Sequence, residues 1–106
     1  MAKSAYTIKL DYKNALKQAE SLEESARDIE KISKTDLMGC MNRISKEWKG
    51  EASDAYRSKG QKSAENLLAI AKNLRKTATT IREIAQRTYD AEMRALALAQ
   101  KREYNG

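Results

Sequence analysis

The stretch LLAIAKNLRKTATTIREIAQRTYDAEMRALAL, residues 67–98, decides the fold of this chain. Its apolar and small side chains recur at alternating steps of three and four residues. They form a seam of Leu67, Ile70, Leu74, Thr77, Ile81, Ile84, Thr88, Ala91, Ala95 and Leu98. A column of alanines runs beside this seam, at positions 64, 71, 78, 85 and 99, and is interrupted by Glu92. An apolar face about three positions wide per heptad predicts a helix that packs in a bundle.

The first half of the chain carries a similar stripe with one irregularity. It runs through Ile8, Tyr12, Ala15, Ala19, Leu22, Ala26 and Ile29, and resumes one position out of step at Leu37, Met41, Ile44 and Trp48. The slip falls across Ser33–Asp36, whose residues form helix only modestly well. We therefore expect a kink, a local unwinding or a short break there, acting either as a hinge or as a tolerated change of register.

Gly50 marks the reversal between the two halves, because glycine adopts positive φ at low cost. Ser53 is expected to cap the helix that follows, and Asp54 is favourable in the first turn of that helix. The scarcity of glycine, four in the chain, and the lack of proline also argue against a turn-rich β fold. The prediction is an all-α hairpin of two long antiparallel helices: one domain over residues 1–106, with a helix over about 11–47, a turn over about 48–51 and a helix over about 52–102.

Composition excludes most catalytic chemistry. The 106 residues contain no histidine and one cysteine, so the usual zinc, haem and Cys–His sites and an internal disulfide have no ligands or partners. The neighbouring acidic residues, such as Glu23 and Glu24 or Asp90 and Glu92, are one or two positions apart and do not face each other on a helix. We predict a protein that is not an enzyme, with no catalytic residue, no metal site, no cofactor and no small-molecule substrate.

A single hairpin leaves apolar side chains uncovered. Leu16, Ile32, Leu68 and the alanine column lie beside the stripes and are expected to stay partly exposed, and the longer second helix should overhang at about residues 91–106. Full burial of one large aliphatic side chain is worth about 1.5–3 kcal/mol. We therefore predict pairing with a second hairpin into an antiparallel four-helix bundle, as a homodimer or a heterodimer.

The turn carries the only tryptophan, Trp48, which is expected to close the end of a bundle. At the start of the second helix, the small residues Ala52 and Ala55 are expected to face the neighbouring helix, with Tyr56 packing as an aromatic wedge. Trp48-Lys49-Gly50, followed by Ala52, Ala55 and Tyr56, resembles the WXG family of small ESAT-like proteins of type VII (ESX) secretion. The resemblance extends over essentially the whole chain by length and layout. It implies a hairpin that pairs into a four-helix bundle and export without a cleaved signal peptide. It also implies that Trp48 and Gly50 belong to a composite surface, completed by a partner's tail, which the secretion machinery recognises.

The tail departs from the family pattern, which is Tyr-x-x-x-Asp/Glu. Tyr89 is followed at the fourth position by Met93, while acids stand at Asp90 and Glu92. Either the looser element Tyr89-Asp90-Ala91-Glu92 serves as the signal, or a partner protein carries it. The net charge of +6 differs from the acidic balance of the best-known members. Both departures suit an adaptor, or targeting chaperone, for an acidic effector with a helical domain.

These observations predict an exported substrate or dimerising partner of a type VII system, which resides in a bacterial cytoplasm before export. Residues 1–11 lack the apolar core of a signal peptide, and the longest apolar run, 95–99, is too short to span a membrane. A basic helical nucleic-acid-binding protein is the alternative of another class, because several arginines share helix positions, although no aromatic residues lie among them. A purely structural coiled-coil protein is the third.

Overall fold

The computed structural model describes the backbone of residues 3–105 and the side chains of residues 3–103. Apart from Lys3, Ser4 and the turn residues 48–50, every residue in this range is helical. The segments are α1 (Ala5–Lys31), a π-helical segment (Ile32–Leu37), α2 (Met38–Glu47) and α3 (Glu51–Asn105). The predicted all-α helical hairpin is confirmed.

Helix α1 begins at Ala5, where the sequence analysis placed the start at about Asp11. The hydroxyl oxygen of Ser4 accepts a hydrogen bond from the Thr7 N–H at 3.2 Å, and the Ser4 carbonyl accepts one from the Ile8 N–H at 3.1 Å. This is the geometry of an N-cap serine, which satisfies N–H groups that have no partner inside the helix. The capping serine thus adds about a turn and a half to the first helix.

The chain divides into two compact units. The turn unit is Leu22–Lys76, and the terminal unit consists of the residues before Leu22 together with those from Thr77 onwards. Each unit pairs one segment from the first half of the chain with one from α3. As the residue number of the contacting residue increases in the first segment, the residue number of its partner in α3 decreases. The two helices of each unit are therefore antiparallel. The contacts that establish this are Glu30–Arg75 and Ser33–Ala64 in the turn unit, and Lys3–Glu92 and Tyr12–Gln86 in the terminal unit.

The alanine column, expected to stay partly exposed, is instead buried at positions 64, 71, 78 and 85, and Ala99 alone among its five alanines is partly exposed as expected. Ala78 is 0% exposed, whereas the neighbouring seam residues Ile70 and Ile84 remain 48% and 52% exposed. Ala19 and Ala26 of α1 are also fully buried. The expectation failed because small side chains let two helix backbones approach closely, which places the narrow column at the contact and turns the branched side chains outward. The partial exposure expected of Leu16, Ile32 and Leu68 is confirmed.

The slip in the first stripe is absorbed by the π-helical segment Ile32–Leu37, so the predicted local unwinding is confirmed. The N–H of Met38 donates to the carbonyl of Ser33, five residues earlier, as a π-helix requires. This wider turn holds one extra residue without displacing the apolar stripe that follows it. Ser33 itself is buried, and its hydroxyl donates to the carbonyl of Ala64 on α3 at 2.8 Å.

Candidate functional site: the turn and the tail segment

Two backbone conformations form the turn. Trp48 ends α2 in an extended conformation (φ −120°, ψ 120°), and its N–H donates to the Ile44 carbonyl at 2.8 Å. Gly50 follows with φ +117°, a region that residues with a side chain rarely adopt. Its carbonyl accepts the Asp54 N–H at 3.0 Å, so Gly50 occupies the N-cap position of α3. This agrees with the assignment of Gly50 as the turn glycine.

Ser53 does not cap α3, contrary to the expectation from sequence. It lies inside the helix, is 0% exposed, and donates its hydroxyl to the carbonyl of Trp48 at 2.6 Å. That carbonyl is at the end of α2, where helical carbonyls lose their partners in the helix. The Ser53 hydroxyl therefore ties the end of one helix to the start of the next and fixes the backbone of Trp48.

The aromatic rings of Trp48 and Tyr56 pack against each other with centroids 5.7 Å apart and planes tilted by 51°. They remain 43% and 48% exposed. Ala52 and Ala55, the two small residues of the motif, are exposed as well. Their exposure means that neither alanine packs against α2 within the turn unit. The turn motif thus presents the aromatic pair Trp48–Tyr56 next to two small, solvent-exposed residues of α3.

Charges at the start of α3 suit a helix N-terminus. Glu51 and Asp54 lie in its first turn, where carboxylates interact favourably with the positive end of the helix dipole. Asp54 also forms an ion pair with Arg57, one turn later. Lys49 and Glu47, on either side of Trp48, are exposed. The surroundings of the aromatic pair are therefore charged and accessible to solvent.

In the terminal unit, the aromatic residue of the tail element lies against α1. The ring of Tyr89 is half-buried and packs against the ring of Tyr12, with centroids 4.9 Å apart. The Tyr12 hydroxyl donates to Gln86 Oε1 at 2.8 Å, and Gln86 Nε2 donates to Asp90 Oδ1 at 3.1 Å. Tyr89 and Asp90 are thus connected, directly and through Gln86, to one tyrosine of α1. Met93, at the position where the family has an acid, is half-buried.

Lys3 connects the beginning of the chain to the tail element. Its Nζ lies 3.0 Å from Asp11 Oδ2 and 3.2 Å from Glu92 Oε1. The hydrogen bonds that the Lys3 ammonium donates to these two carboxylates, first to Asp11 and then to Glu92, raise the pKa of Lys3 above its ordinary value. The second oxygen of Glu92, Oε2, is buried and has no hydrogen-bond partner among the residues that the structure describes. Lys3 is therefore the cation that balances the tail carboxylate.

The sequence analysis missed Lys3, Tyr12 and Gln86 as contacts of the tail element. Lys3 and Gln86 are exposed and Tyr12 is half-buried. The contacts Lys3–Glu92 and Tyr12–Gln86 join residues 89 and 74 positions apart, and Gln86 connects Tyr12 to Asp90. Pattern alone carries no signal for such pairs. Once α1 is known to begin at Ala5, however, antiparallel pairing places its first turns beside the segment that contains Tyr89.

The terminal unit also contains an apolar groove of about 240 Å³. Both helices line it, and its apolar side chains include Ile8, Ala15, Ile81, Ile84 and Ala85. Asp11 and Glu92 contribute carboxylates to the same groove, as do the rings of Tyr12 and Tyr89. The groove therefore lies beside the tail element and shares residues with it.

The described part of the chain contains no cluster of three or more residues that would suit a metal ion. None of the helices within residues 3–105 is both long enough and apolar enough to cross a bilayer. The single cysteine, Cys40, is exposed. The aromatic pair at the turn is half exposed, and the groove beside the tail element is lined by side chains of both helices of the terminal unit.

Comparison of the chain with curated proteins and with solved structures finds no match. The sequence profile of the family described as WXG100, proteins of 100 residues with WXG, matches residues 7–93. The matched range contains the turn, the aromatic pair and the tail element as far as Met93, and it covers most of the 106 residues. The chain therefore belongs to the WXG100 family and is a small protein associated with type VII secretion.

Proposed function

We propose that this chain acts in type VII secretion as one WXG-type domain that pairs with a second helical protein and is exported alone or with it. The half-exposed aromatic pair Trp48–Tyr56, held at a turn whose backbone is fixed by Ser53, carries this proposal. Tryptophan and tyrosine are the residues that most often dominate protein interfaces. Their exposure at an ordered turn suits recognition by another protein, and family membership supports the secretion machinery as that protein.

Pairing is supported by the seam residues that the hairpin leaves uncovered. Ile70, Ile84 and Leu98 are about half exposed and are separated by whole heptads. A heptad-spaced apolar column on a helix is the usual contact surface for another helix. Each half-exposed aliphatic side chain gains on the order of 1 kcal/mol when a partner covers it. The partner is either a second copy of this chain or a different WXG-type protein.

The tail element supplies the second part of the proposed signal. Asp90 is exposed, and Tyr89 presents part of its ring beside the groove. We assign Tyr89, Asp90, Glu92 and Met93 as the candidate tail surface, read together with the turn motif of the partner subunit. If the partner carries the family's usual tail signal instead, this chain serves as an adaptor that escorts it. The net charge of +6 favours an acidic partner in that case.

Export of a turn variant tests the recognition role. Trp48→Ala, expressed in a bacterium with a working type VII system, is expected to be retained in the cells and to fall about tenfold or more in the medium, since an aromatic anchor contributes ~1.4 kcal/mol or more to recognition. Tyr6→Ala is the matched control, because Tyr6 is a strongly exposed aromatic residue of the terminal unit. Normal export of Trp48→Ala, with helical content intact, contradicts the proposal.

The pairing role has its own measurement. Light scattering of the purified chain, alone and co-expressed with candidate partners, distinguishes the 12.0 kDa monomer from a homodimer or a mixed complex. Ile84→Asp is expected to abolish pairing because it places a charge in the apolar column. Gln100→Asp, at an exposed position about 160° around α3 from Leu98, is the matched control and leaves pairing intact. A chain that stays monomeric with every candidate partner contradicts pairing.

A further inference from the structure

A second exposed surface of the turn unit is strongly basic. The basic face is formed by Arg27, Lys31, Lys34, Lys72, Arg75 and Lys76, all of them exposed. The segments 27–34 and 72–76 hold these six basic residues and only two acidic ones, Asp28 and Glu30. They therefore account for +4 of the net charge of +6. Neither the turn motif nor the seam includes any of these residues.

Glu30 shows that the cations of the two helices gather in one place. The Arg75 guanidinium of α3 binds its carboxylate, and this hydrogen bond is the main cause that lowers the pKa of Glu30 below its ordinary value. The positive charges of Lys34 and Arg27 lower it further. Cations from α3, α1 and the π-helical segment thus act on one carboxylate, which already forms an ion pair with Arg75.

The remaining cations of the basic face have no acidic partner of their own. Among the side chains described in residues 3–103, none provides a carboxylate oxygen within the 4.0 Å of an ion pair to Arg27, Lys31, Lys34, Lys72 or Lys76. Like charges that lie close together repel one another, and the repulsion is relieved when an anionic surface covers them. The face is therefore complementary to a partner that is acidic.

The basic face and the apolar seam point in different directions. At 3.6 residues per turn, Lys72 and Arg75 lie about 160° and about 140° around α3 from Ile70. Ile32, the exposed apolar residue that directly follows α1, lies about 140° around the helix from Arg27 at 3.6 residues per turn. A protein that covers the exposed isoleucines of the turn unit therefore leaves the basic face open.

We propose that the basic face binds an acidic α-helix of a partner protein. Arg27 and Lys31 stand four residues apart on α1, a step of about 6 Å along the helix axis, and Lys34 follows in the π-helical segment. Acidic residues four apart on a second helix have the same separation as Arg27 and Lys31. The segments 27–34 and 72–76 contain no aromatic residue on which a base could stack, so the face lacks the stacking contacts by which proteins bind single-stranded nucleic acid.

This inference goes beyond the proposed function, because binding of an acidic helix requires neither export nor pairing through the seam. The probe is a fluorescein-labelled helical peptide of alanine and glutamine with glutamates at steps of four and three residues. A second peptide, with glutamine in place of each glutamate, controls for contacts without charge. Fluorescence anisotropy of the full chain is expected to show binding of the glutamate peptide alone, weakening as salt is raised.

Charge-reversal variants locate the contact. Lys31→Glu/Lys34→Glu and, separately, Lys72→Glu/Lys76→Glu are each expected to weaken peptide binding by about tenfold or more. Lys13→Glu/Lys17→Glu is the matched control, because it changes net charge equally and lies in the terminal unit. Its two lysines are also exposed and form no ion pair with the side chains described in residues 3–103. We expect about a twofold effect or less from this control. Circular dichroism establishes that each variant remains helical, and the two face variants test the same surface independently.

Three results overturn the proposal. The first is no binding of the glutamate peptide by the unmodified chain at low salt. The second is an equal loss of binding in the face variants and the Lys13/Lys17 control, which means that net charge alone is responsible. The third is tighter binding of a 20-base-pair duplex of random sequence than of the peptide, lost in both face variants, which assigns the face to phosphate.

Discussion

Replacement of Gly50 by alanine should destabilise the fold through the backbone alone. An added Cβ meets no atom within 4 Å, so the substitution causes no steric clash with the rest of the chain. The φ of +117° is a conformation that costs a residue with a side chain about 1–3 kcal/mol. We therefore expect Gly50→Ala to lower the free energy of unfolding by that amount.

The chain provides two matched controls for this prediction. Gly39 lies inside α2, and a Cβ there also meets nothing within 4 Å, so Gly39→Ala should stabilise the fold by about 0.5–1 kcal/mol through helix propensity. At Gly60, inside α3, an added Cβ lies 2.5 Å from Met41 Sδ, and the methionine side chain must move. Gly60→Ala should therefore be less stable than Gly39→Ala, because displacement of Met41 offsets the gain in propensity.

Urea unfolding followed by circular dichroism, at one fixed protein concentration, measures all three variants. In thermal unfolding, each kcal/mol corresponds to a shift of about 4–8 °C for a chain of this size. The order expected from most to least stable is Gly39→Ala, unmodified chain, Gly50→Ala, and Gly60→Ala is expected below Gly39→Ala. If Gly50→Ala is as stable as the unmodified chain while Gly39→Ala is stabilised, the positive φ at the turn is not what the native state requires, and the reasoning is refuted.

Three further results are expected. Ser33→Ala should cost about 0.5–1.5 kcal/mol in urea unfolding, because it removes the hydrogen bond that joins a buried hydroxyl of the π-helical segment to α3; an unchanged midpoint contradicts this. Glu30→Gln should make the free energy of unfolding decrease less steeply with falling pH. The hydrogen bond with Arg75 lowers the pKa of Glu30, so this contact stabilises the fold at neutral pH, and its contribution is lost as pH falls below the ordinary glutamate range. An unaltered pH profile of stability contradicts this expectation. Tyr56→Ala should red-shift the emission of Trp48 and increase its quenching by acrylamide, because the indole loses its packing partner; an unmoved spectrum counts against the aromatic pair.

Periodicity predicted the helices of this chain, but not which column of each helix would meet the other. The repeat of residues 67–98 defines a face three positions wide, and either edge of such a face can lie at the contact. The outcome depends on how closely two backbones can approach, which favours Ala71 and Ala78 over Ile70 and Ile84. This is a property of the pair of helices, and a pattern read along one helix at a time does not contain it.

Local chemistry was a better guide at the turn than at the tail. Gly50 was identified from its residue type alone, since few other residues adopt positive φ. The prediction that Ser53 caps α3 was wrong because the hydroxyl of a serine near the start of a helix can either accept a hydrogen bond from a backbone N–H or donate one to a carbonyl. The carbonyl of Trp48 becomes its acceptor only after the chain has reversed direction. Contacts such as Lys3–Glu92 join residues 89 positions apart, and no local rule finds them.

The wide turn at Ile32–Leu37 has a consequence for the length of the chain. Because the π-helical turn stores one surplus residue, removal of Lys34 or Thr35 would restore an unbroken α-helix and keep Met41 and Trp48 on the same side of it. Insertions and deletions of a single residue in a helix normally rotate everything downstream by about 100°. In this chain the π-helical segment already contains one additional residue, so natural variants that lack one residue here should still place their tryptophan at the turn.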